Sequence, residues 1–337
     1  MNVLTRVSQL VHRAFLPLLI FYPTSRCNSR CVSCDWWKST GADDMTLDEI
    51  ATMAQSLGTL GTRVVLFSGG EPLVRPDLFE IAALFQSQHV RLELLTSGVL
   101  LPRHAREVAD LFSRVTISLD ATSRDAYRSV RGLDALAAVE AGVDRLRRLA
   151  PGLPVTARST LHKRNFRELP RLVEKARTME LHSISFLAAD VSTLAFGRQH
   201  LPAADELLLD SSEVEEMRAI VEDIIENETE AFWSGRIAES PDRLRRIPAY
   251  YAALLGEEPF PRVSCNAPWI SAVVEANGNV RPCFFHAVIG SLRERPLTEI
   301  LSEDLPAFRS ELDVERNSLC QRCVCSIRVG PRSPLWH

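Results

Sequence analysis

The sequence predicts an α/β protein: a partial (β/α)6 TIM-like barrel of parallel strands, followed by a small C-terminal hairpin-plus-helix module. Three observations predict this fold. Short apolar runs alternate with helical patterns through the first part of the chain, a glutamate-rich helical segment follows, and eight cysteines stand in two groups far apart. We expect an N-terminal helix over 1–16, a barrel core over 17–200, a helical connecting segment over 201–262 and a cysteine-bearing module over 263–337.

Six apolar and β-branched runs have the length of strands. They are Pro17–Thr24, Arg63–Ser68, Arg91–Thr96, Arg114–Leu119, Pro154–Thr160 and Ser183–Leu187. Because helical patterns separate these runs, we expect parallel strands joined by right-handed crossovers. Six units are fewer than the eight of a closed barrel, so the sequence favours an open barrel.

Helix starts and one hairpin have their own signals. The helix signals are capping boxes at Thr46 with Glu49 and at Ser212 with Glu215, prolines at Pro76 and Pro102, and the helical pattern of Asp134–Leu149. Asn277-Gly278 predicts a hairpin that joins Ser271–Glu275 to Asn279–Cys283, and a short helix over Leu297–Leu301 should follow.

The composition is that of a globular protein. Of the 337 residues 46% are apolar and 24% are charged, which excludes a mainly disordered chain. The net charge of −4 argues against a large basic surface for nucleic acid or anionic lipid. The apolar run Ala14–Tyr22 contains Pro17, is too short to span a membrane and lacks a signal cleavage site. We therefore predict a cytoplasmic protein without a membrane span.

The first cysteine group predicts a metal site. Cys27, Cys31 and Cys34 form a Cys-x3-Cys-x2-Cys loop directly after the first predicted strand. Three thiolates can hold three irons of a 4Fe–4S cluster and leave the fourth iron free for another ligand. Zinc is the alternative, but a structural zinc site needs four ligands and the next histidine is His89.

Small and polar residues follow the next three predicted strands. They are Gly69, Gly70 and Glu71 after the second strand, Ser97 after the third, and Ser118 and Asp120 at the end of the fourth. Two glycines let a ligand approach the backbone, and Glu71 can receive an ammonium group. The hydroxyl of Ser118 and the carboxylate of Asp120 can face a ribose. Because β/α barrels build their active sites at the carboxyl ends of the strands, we expect these residues around one site.

The second cysteine group can form another site. Cys265 is followed by twelve residues, Gly278, four residues and Cys283, and Cys320-x2-Cys323 comes later. Four such ligands suit an iron–sulfur cluster or zinc. Cys325 remains as a fifth thiol, which can replace a neighbour as ligand, donate a hydrogen atom or be buried.

The Cys27–Cys34 loop, the Gly-Gly-Glu-Pro at 69–72 and Ser118-x-Asp120 resemble the radical S-adenosylmethionine (SAM) superfamily over residues 17–190. The resemblance implies a 4Fe–4S cluster whose open iron chelates the amino and carboxylate groups of SAM. The SAM-binding residues that it implies are Gly69, Gly70 and Glu71 for the ammonium group, Ser97, Ser118 and Asp120 nearby, and Arg131 and Arg158 as candidate carboxylate partners. For the two arginines, surface charge or an ion pair within the barrel is the alternative.

One position departs from that family. Members commonly carry an aromatic residue just before the third cysteine, where it packs on adenine, but this chain has Ser33. Trp36 or Trp37 can supply the aromatic face, and either can equally belong to the core or to a substrate pocket.

The second cysteine group resembles the SPASM and twitch modules of radical enzymes. This resemblance implies an auxiliary 4Fe–4S cluster on Cys265, Cys283, Cys320 and Cys323, with Cys325 as the spare. Full SPASM domains carry more cysteines, so we expect a single, fully ligated cluster. Such a cluster has no free iron for a substrate and is better suited to passing an electron.

The family's chemistry implies cleavage of SAM to a 5′-deoxyadenosyl radical that removes hydrogen from a substrate C–H bond. The leading hypothesis is an oxidoreductase, of dehydrogenase or epimerase type, that oxidises a small molecule such as a sugar or aminocyclitol, with the auxiliary cluster as electron acceptor. Crosslinking or epimerisation of a ribosomally made peptide is the alternative, and a non-catalytic metal-binding protein is a third possibility. A flavodoxin or ferredoxin is the expected electron donor.

Overall fold

A computed structural model describes residues 15–201 and 204–330. The predicted N-terminal helix lies outside these residues except for Phe15 and Leu16, which are not helical. How the chain divides into domains stays a prediction.

All nine strands of the described residues belong to one sheet. They are β1 (Leu18–Phe21), β2 (Val64–Phe67), β3 (Arg91–Thr96), β4 (Arg114–Ser118), β5 (Val155–Leu161), β6 (Ser183–Ala188), β7 (Ser271–Val274), β8 (Asn279–Arg281) and β9 (Gly290–Ser291). Their order is β6-β5-β4-β3-β2-β1-β7-β8-β9. The first six strands are parallel to their neighbours, which confirms the predicted open (β/α)6 barrel.

The helices alternate with the strands as far as β6 and then follow one another. They are α1 (Leu47–Ala54), α2 (Leu78–Gln86), α3 (Leu101–Leu111), α4 (Arg124–Arg131), α5 (Leu136–Leu149), α6 (Leu169–Thr178), α7 (Ala204–Leu207), α8 (Ser211–Asn227), α9 (Thr229–Trp233), α10 (Pro241–Leu254), α11 (Ala267–Ile270), α12 (Leu297–Glu311) and α13 (Ser318–Gln321). Among the described residues, none of these helices combines the length and the apolar character needed to cross a bilayer.

The core lies between the sheet and the helices. β1 and β2 consist almost wholly of buried apolar residues, which is typical of parallel strands covered on both faces. Phe21, Phe67 and Phe85 pack edge to face with ring centroids 5.1–5.7 Å apart, and Phe67 extends the group to Phe112. These rings anchor the two strands whose following loops begin the site.

The predicted C-terminal hairpin forms, and it continues the barrel sheet. β7 pairs in parallel with β1, in register from Leu18 with Ser271 to Phe21 with Val274. β8 then pairs antiparallel with β7 across the turn at Gly278, whose φ is +87°. β1 therefore has a paired strand on both sides. Because the first cysteine group follows β1 and the second flanks β7, this pairing connects the parts of the chain that carry the two cysteine groups.

Two local predictions were wrong. The capping box of α8 uses Asp210 and Glu213 rather than Ser212 and Glu215: the amide of Glu213 donates to Asp210 at 2.9 Å, and the amide of Asp210 donates to Glu213 at 3.1 Å. An aspartate caps as well as a serine, so the helix begins earlier. The short helix predicted at Leu297–Leu301 runs on to Glu311, because Leu305 continues its buried face although Pro306 lies inside it.

Candidate active site

One cavity lies where the strands of the barrel end. Its volume is about 1210 Å³ when counted to its open mouth. Every residue predicted for the SAM-binding site lines it: Cys27, Cys31, Cys34, Trp36, Gly69, Gly70, Glu71, Ser97, Ser118, Asp120, Arg131 and Arg158. Cys325 of the second cysteine group also lines it. The structure thus brings the sequence-predicted residues together, while their individual roles stay predictions.

The cysteine loop is fixed to the end of α4 by backbone hydrogen bonds. The amide of Arg30 donates to the carbonyl oxygen of Arg131 at 2.9 Å, and the amide of Val32 donates to that of Val130 at 3.1 Å. Gly132 ends the helix with φ +71°, and a Cβ there would lie 2.5 Å from the carbonyl oxygen of Arg30. The two segments therefore pack backbone against backbone.

Gly69 and Gly70 allow the cysteine loop to touch the loop after β2. A Cβ on Gly70 would lie 2.1 Å from the carbonyl oxygen of Arg26, and one on Gly69 would lie 2.7 Å from Cβ of Tyr22. The amide of Glu71 donates to the same carbonyl of Arg26 at 2.8 Å. The structure shows that the protein itself comes close to both glycines, with the side chain of Tyr22 against Gly69 and the backbone of Arg26 against Gly70, while the predicted approach of a ligand stays a prediction.

Glu71 joins neighbouring loops through its carboxylate. The side chain is 1% exposed and accepts hydrogen bonds from the amide of Leu73 at 3.1 Å, the hydroxyl of Thr96 at 2.7 Å and the amide of Ser97 at 2.6 Å. The loops after β2 and β3 are therefore held together by one buried anion. Its contact with an ammonium group stays a prediction.

Asp120 and Arg131 form a buried ion pair. A carboxylate oxygen of Asp120 lies 2.9 Å from Nη1 of Arg131, and the other accepts from the amide of Thr160 at 2.8 Å. Of the alternatives for Arg131, the structure shows the ion pair within the barrel. Both groups still line the cavity, so a ligand there would meet a charge pair that is already neutralised.

Arg158 differs from Arg131 because it has no carboxylate within ion-pair distance in the described part of the chain. Its Nε donates to the hydroxyl of Ser185 at 3.1 Å, and the side chain is exposed to the cavity. The β4–β5 register sets it beside Ser118. Arg158 is thus a cation that remains open to an anionic ligand.

The three thiols of the loop differ in acidity. A hydrogen bond from the thiol of Cys34 lowers the pKa of Cys31 to about 7. Burial raises the pKa of Cys27 to about 11. All three side chains line the same cavity, and thiolates are the ligands that an iron–sulfur cluster takes. The donor set therefore fits a cluster with three protein ligands.

The aromatic wall of the cavity includes Trp36 but not Trp37. The ring of Trp36 lies 5.8 Å from that of Tyr22, and both residues line the cavity. Trp37 donates its indole N–H to the carbonyl oxygen of Cys34 at 3.1 Å and has Lys38 over its ring. Of the two tryptophans, Trp36 lines this cavity and Trp37 does not, and the contact with adenine stays a prediction.

Sequence reasoning missed the segment that follows β6. Asp190 and Arg198 form a buried ion pair at 3.0 Å, and Arg198 also donates to the carbonyl oxygen of Ser33. Both residues line the cavity together with Phe196. The available signal was that Asp190 follows a parallel strand directly, in the same place as Asp120 after β4.

The thiols of the second group influence one another's ionisation. Burial raises the pKa of Cys283 to about 11 and that of Cys320 to about 12, and Cys265 and Cys323 add to both increases. The thiols of Cys323 and Cys325 share a hydrogen bond, which lowers the pKa of Cys323 and contributes to a raised pKa at Cys325. This set of thiols fits an iron–sulfur cluster with Cys325 beside it.

Two further facts describe the second group. Nε2 of the buried His286 lies 3.3 Å from Sγ of Cys320. Within residues 15–201 and 204–330, no three or more side chains of His, Cys, Asp or Glu converge on a single metal ion, whereas the thiolates of a 4Fe–4S cluster each bind a different iron.

Comparison with known families decides the identity of this site. The family model of the radical SAM superfamily matches residues 21–176, and that of the SPASM iron-sulfur cluster-binding domain matches residues 265–324. The chain belongs to the radical SAM superfamily. SAM, the 4Fe–4S cluster of the radical SAM domain and the iron–sulfur centre of the SPASM domain are therefore its cofactors. Both matched ranges contain the cysteine spacings described above.

Relatives and solved structures agree with this assignment. Fe-coproporphyrin III synthase of Methanosarcina barkeri is 29% identical over 91% of this chain and 80% of that protein. AdoMet-dependent heme synthase of the same organism is 31% identical over 50% of this chain and 49% of that protein, so the chain spans about half the length of this second relative. Streptococcus suis SuiB bound to S-adenosylmethionine shares the fold, with a TM-score of 0.66 and 14% identity over 96% of this chain and 76% of SuiB.

Proposed function

We propose that this radical SAM enzyme oxidises a small molecule of sugar or aminocyclitol type, with an auxiliary 4Fe–4S cluster as the electron acceptor. One observation carries the proposal: the three cysteines of the first loop and Cys325 of the C-terminal group line the same cavity. A substrate in that cavity lies between the two cysteine groups, so it can lose hydrogen on one side and an electron on the other.

The residues of the chain orient the ligands and shield them. The bound cluster and SAM supply a 5′-deoxyadenosyl radical, which removes hydrogen from a C–H bond. Arg158 and Ser118 are placed to bind the carboxylate or hydroxyl groups of ligands, because both face the cavity on adjacent strands. The segment from Asp190 to Arg198 is braced by a buried ion pair and contacts the cysteine loop through Arg198 and Ser33, a position from which it can shield the loop from water.

The proposed oxidation balances. The substrate loses a hydrogen atom to 5′-deoxyadenosine, then one electron to the auxiliary cluster and one proton to a base or solvent. It is oxidised by two electrons overall, while SAM is reduced to methionine and 5′-deoxyadenosine. We propose a flavodoxin or ferredoxin as the source of the starting electron, and the cytoplasm as the compartment that keeps the thiols reduced.

A peptide is the second candidate substrate. A groove of about 960 Å³ shares Tyr22, Trp36, Phe196 and Phe284 with the cavity, so an elongated ligand could extend along these aromatic residues. SuiB, which has this fold, has also been solved with the precursor peptide SuiA. Fe-coproporphyrin III synthase, which matches 91% of this chain, is named for an iron porphyrin product, so iron porphyrins are further compounds to test.

The test combines metal content with product analysis after anaerobic reconstitution. Two 4Fe–4S clusters require about eight irons per chain. We expect Cys323→Ala to lose about half of this iron and Cys325→Ala to keep it, because Cys325 faces the substrate cavity. One zinc in place of the second cluster would remove the proposed electron acceptor.

The substrate assay measures 5′-deoxyadenosine with sugars, aminocyclitols, peptides and iron coproporphyrins. A ketone formed from an alcohol in equal amount to 5′-deoxyadenosine supports the proposal. Turnover of a peptide or a porphyrin alone would replace it.

A further inference from the structure

A second cavity, of about 590 Å³, lies beside the C-terminal cysteines. Arg243, Arg246 and Tyr250 of α10 line it, together with Cys323 and Val324. It shares Leu187, Ala188 and Val324 with the active-site cavity, so the two cavities have part of a wall in common. The predicted SAM-binding residues do not include any of its arginines.

Among the residues that the structure describes, the two arginines of this cavity form no ion pair with a carboxylate. In the described part of the chain, neither Arg243 nor Arg246 has a carboxylate within ion-pair distance, whereas Arg245 on the same helix pairs with Glu222 at 2.7 Å. Nε of Arg246 is buried and has no hydrogen-bond partner in that part of the chain. A buried guanidinium nitrogen without an acceptor carries a desolvation cost that a bound anion would offset.

In the described part of the chain, the other polar groups of the wall form no ion pair with these arginines. Arg243 donates to the carbonyl oxygen of Ser326 at 3.0 Å, which leaves its charge unpaired. The carboxylate of Glu239 accepts from the amide of Phe186 at 2.9 Å and lies beyond ion-pair distance of both arginines. Burial raises the pKa of Glu239, and the nearby Arg158 and Arg243 act against that increase. The positive charges of Arg243 and Arg246 lie close enough to repel each other, and the thiol of Cys323 lies near Arg246.

Much of the remaining wall is apolar, although Gln321 and Ser326 also line it. The apolar part includes Phe186, Leu187, Ile247 and Pro261, and the 95% buried Tyr250 lies among them. Two cations in a cavity that also has apolar lining match a ligand that carries one carboxylate or phosphate on an apolar body. A free inorganic anion would leave the apolar part of this cavity unused.

We propose that this cavity is an anion-binding site in which Arg243 and Arg246 hold the carboxylate or phosphate of a ligand with an apolar body. The ligand is either the anionic end of the substrate or a separate small molecule. The site itself does not depend on the proposed oxidation, and only the first of these two sources rests on it.

The test measures binding of octanoate to the reconstituted holoenzyme by calorimetry. We expect Arg246→Gln and Arg243→Gln each to weaken binding at least tenfold, and Arg245→Gln to leave it unchanged. Arg245→Gln is the matched control because it removes the same charge from the same helix outside the cavity. The iron content and thermal midpoint of each variant show that it is folded.

Three results would contradict the proposed anion-binding site. These are equal binding of octanoate by wild type and Arg246→Gln, equal loss in Arg245→Gln, and binding of the uncharged octanamide as tightly as octanoate. Octanoate binding is measured without turnover, so its outcome is independent of whether SAM is cleaved.

Competition identifies the source of the anion. If the site holds the anionic end of the substrate, octanoate raises the KM for the substrate without changing kcat. Arg246→Gln then also raises this KM and leaves kcat unchanged. If the ligand is separate, octanoate binds but KM stays constant.

Discussion

The two cysteine groups are brought together in different ways. Cys27, Cys31 and Cys34 lie on one loop after β1, so their proximity is almost guaranteed by the covalent chain. Cys265, Cys283 and the Cys320–Cys323 pair lie on segments separated by α11, a hairpin and α12. In the first site, packing therefore only has to orient cysteines that are already close in the chain. In the second site, the cysteines come together only when the tertiary fold forms.

The difference appears in what surrounds each group. The first loop is held by Gly70 against a carbonyl oxygen, by the last turn of α4 and by Arg198. The second depends on the pairing of β7 with β1 and on caps of short helices. Changes near the first loop should therefore be costly, and changes near the second should be milder and more local.

The largest effect is expected at the ion pair behind the first loop. Arg131→Met leaves Asp120 buried without its cation and should reduce the free energy of unfolding by about 3–5 kcal/mol. Urea unfolding of the apoprotein measures it. The exposed Arg128→Met on the same helix is the control and should change little. Adding Asp120→Asn should restore part of the loss, and a double variant no better than Arg131→Met would contradict the explanation.

The second largest effect is expected for Gly70→Ala. The new Cβ would stand 2.1 Å from the backbone of Arg26, so the cysteine loop must move, at a cost of about 3 kcal/mol and with lower iron uptake at the first site. Gly58→Ala is the control, because nothing lies within 4 Å of a Cβ there. Equal thermal midpoints and equal iron content in the two variants would show that the close packing does not matter.

A pH effect of similar size is expected at His162, the residue that follows β5. His162 is fully buried, and burial lowers its pKa to about 4. Between pH 6.5 and 4 the unfolded chain binds a proton that the folded chain does not, so stability falls as the pH falls, by about 3 kcal/mol in total. His162→Gln should flatten the dependence of urea unfolding on pH in this window. An unchanged slope would assign the effect to other groups.

The smallest effect is expected in the second region. The side chain of Asn317 accepts from the amides of Leu319 and Cys320 at 3.1 Å each and so positions Cys320. Asn317→Ala should cost about 1 kcal/mol in urea unfolding, while Asn317→Asp should retain the cap. If Asn317→Ala costs as much as Gly70→Ala, the contrast between the two regions fails.

The sequence allowed accurate prediction where the determining contacts are local. The six barrel strands, the capping box at Thr46 and the Asn-Gly hairpin all lie close to their predicted places, because each depends on a few adjacent residues. The ends of parallel strands also predicted which residues line the cavity.

Contacts between distant segments were not predictable in the same way. Nothing in the spacing of the cysteines indicates that β7 pairs with β1, that Arg131 faces Asp120 or that Arg198 reaches Ser33. These contacts depend on how helices pack on the sheet. The shift of a capping box from Ser212 to Asp210 shows the same limit over a short range, since two acceptable caps compete and packing selects one.

The pairing of β7 with β1 also has a consequence for synthesis on the ribosome. β1 leaves the ribosome early, but the strand that covers its second edge lies beyond Ser271. At about 5–20 residues per second, that edge stays open for roughly ten to fifty seconds. An uncovered apolar strand edge invites pairing with other chains, so the nascent protein should depend on chaperones until its C-terminal strands emerge.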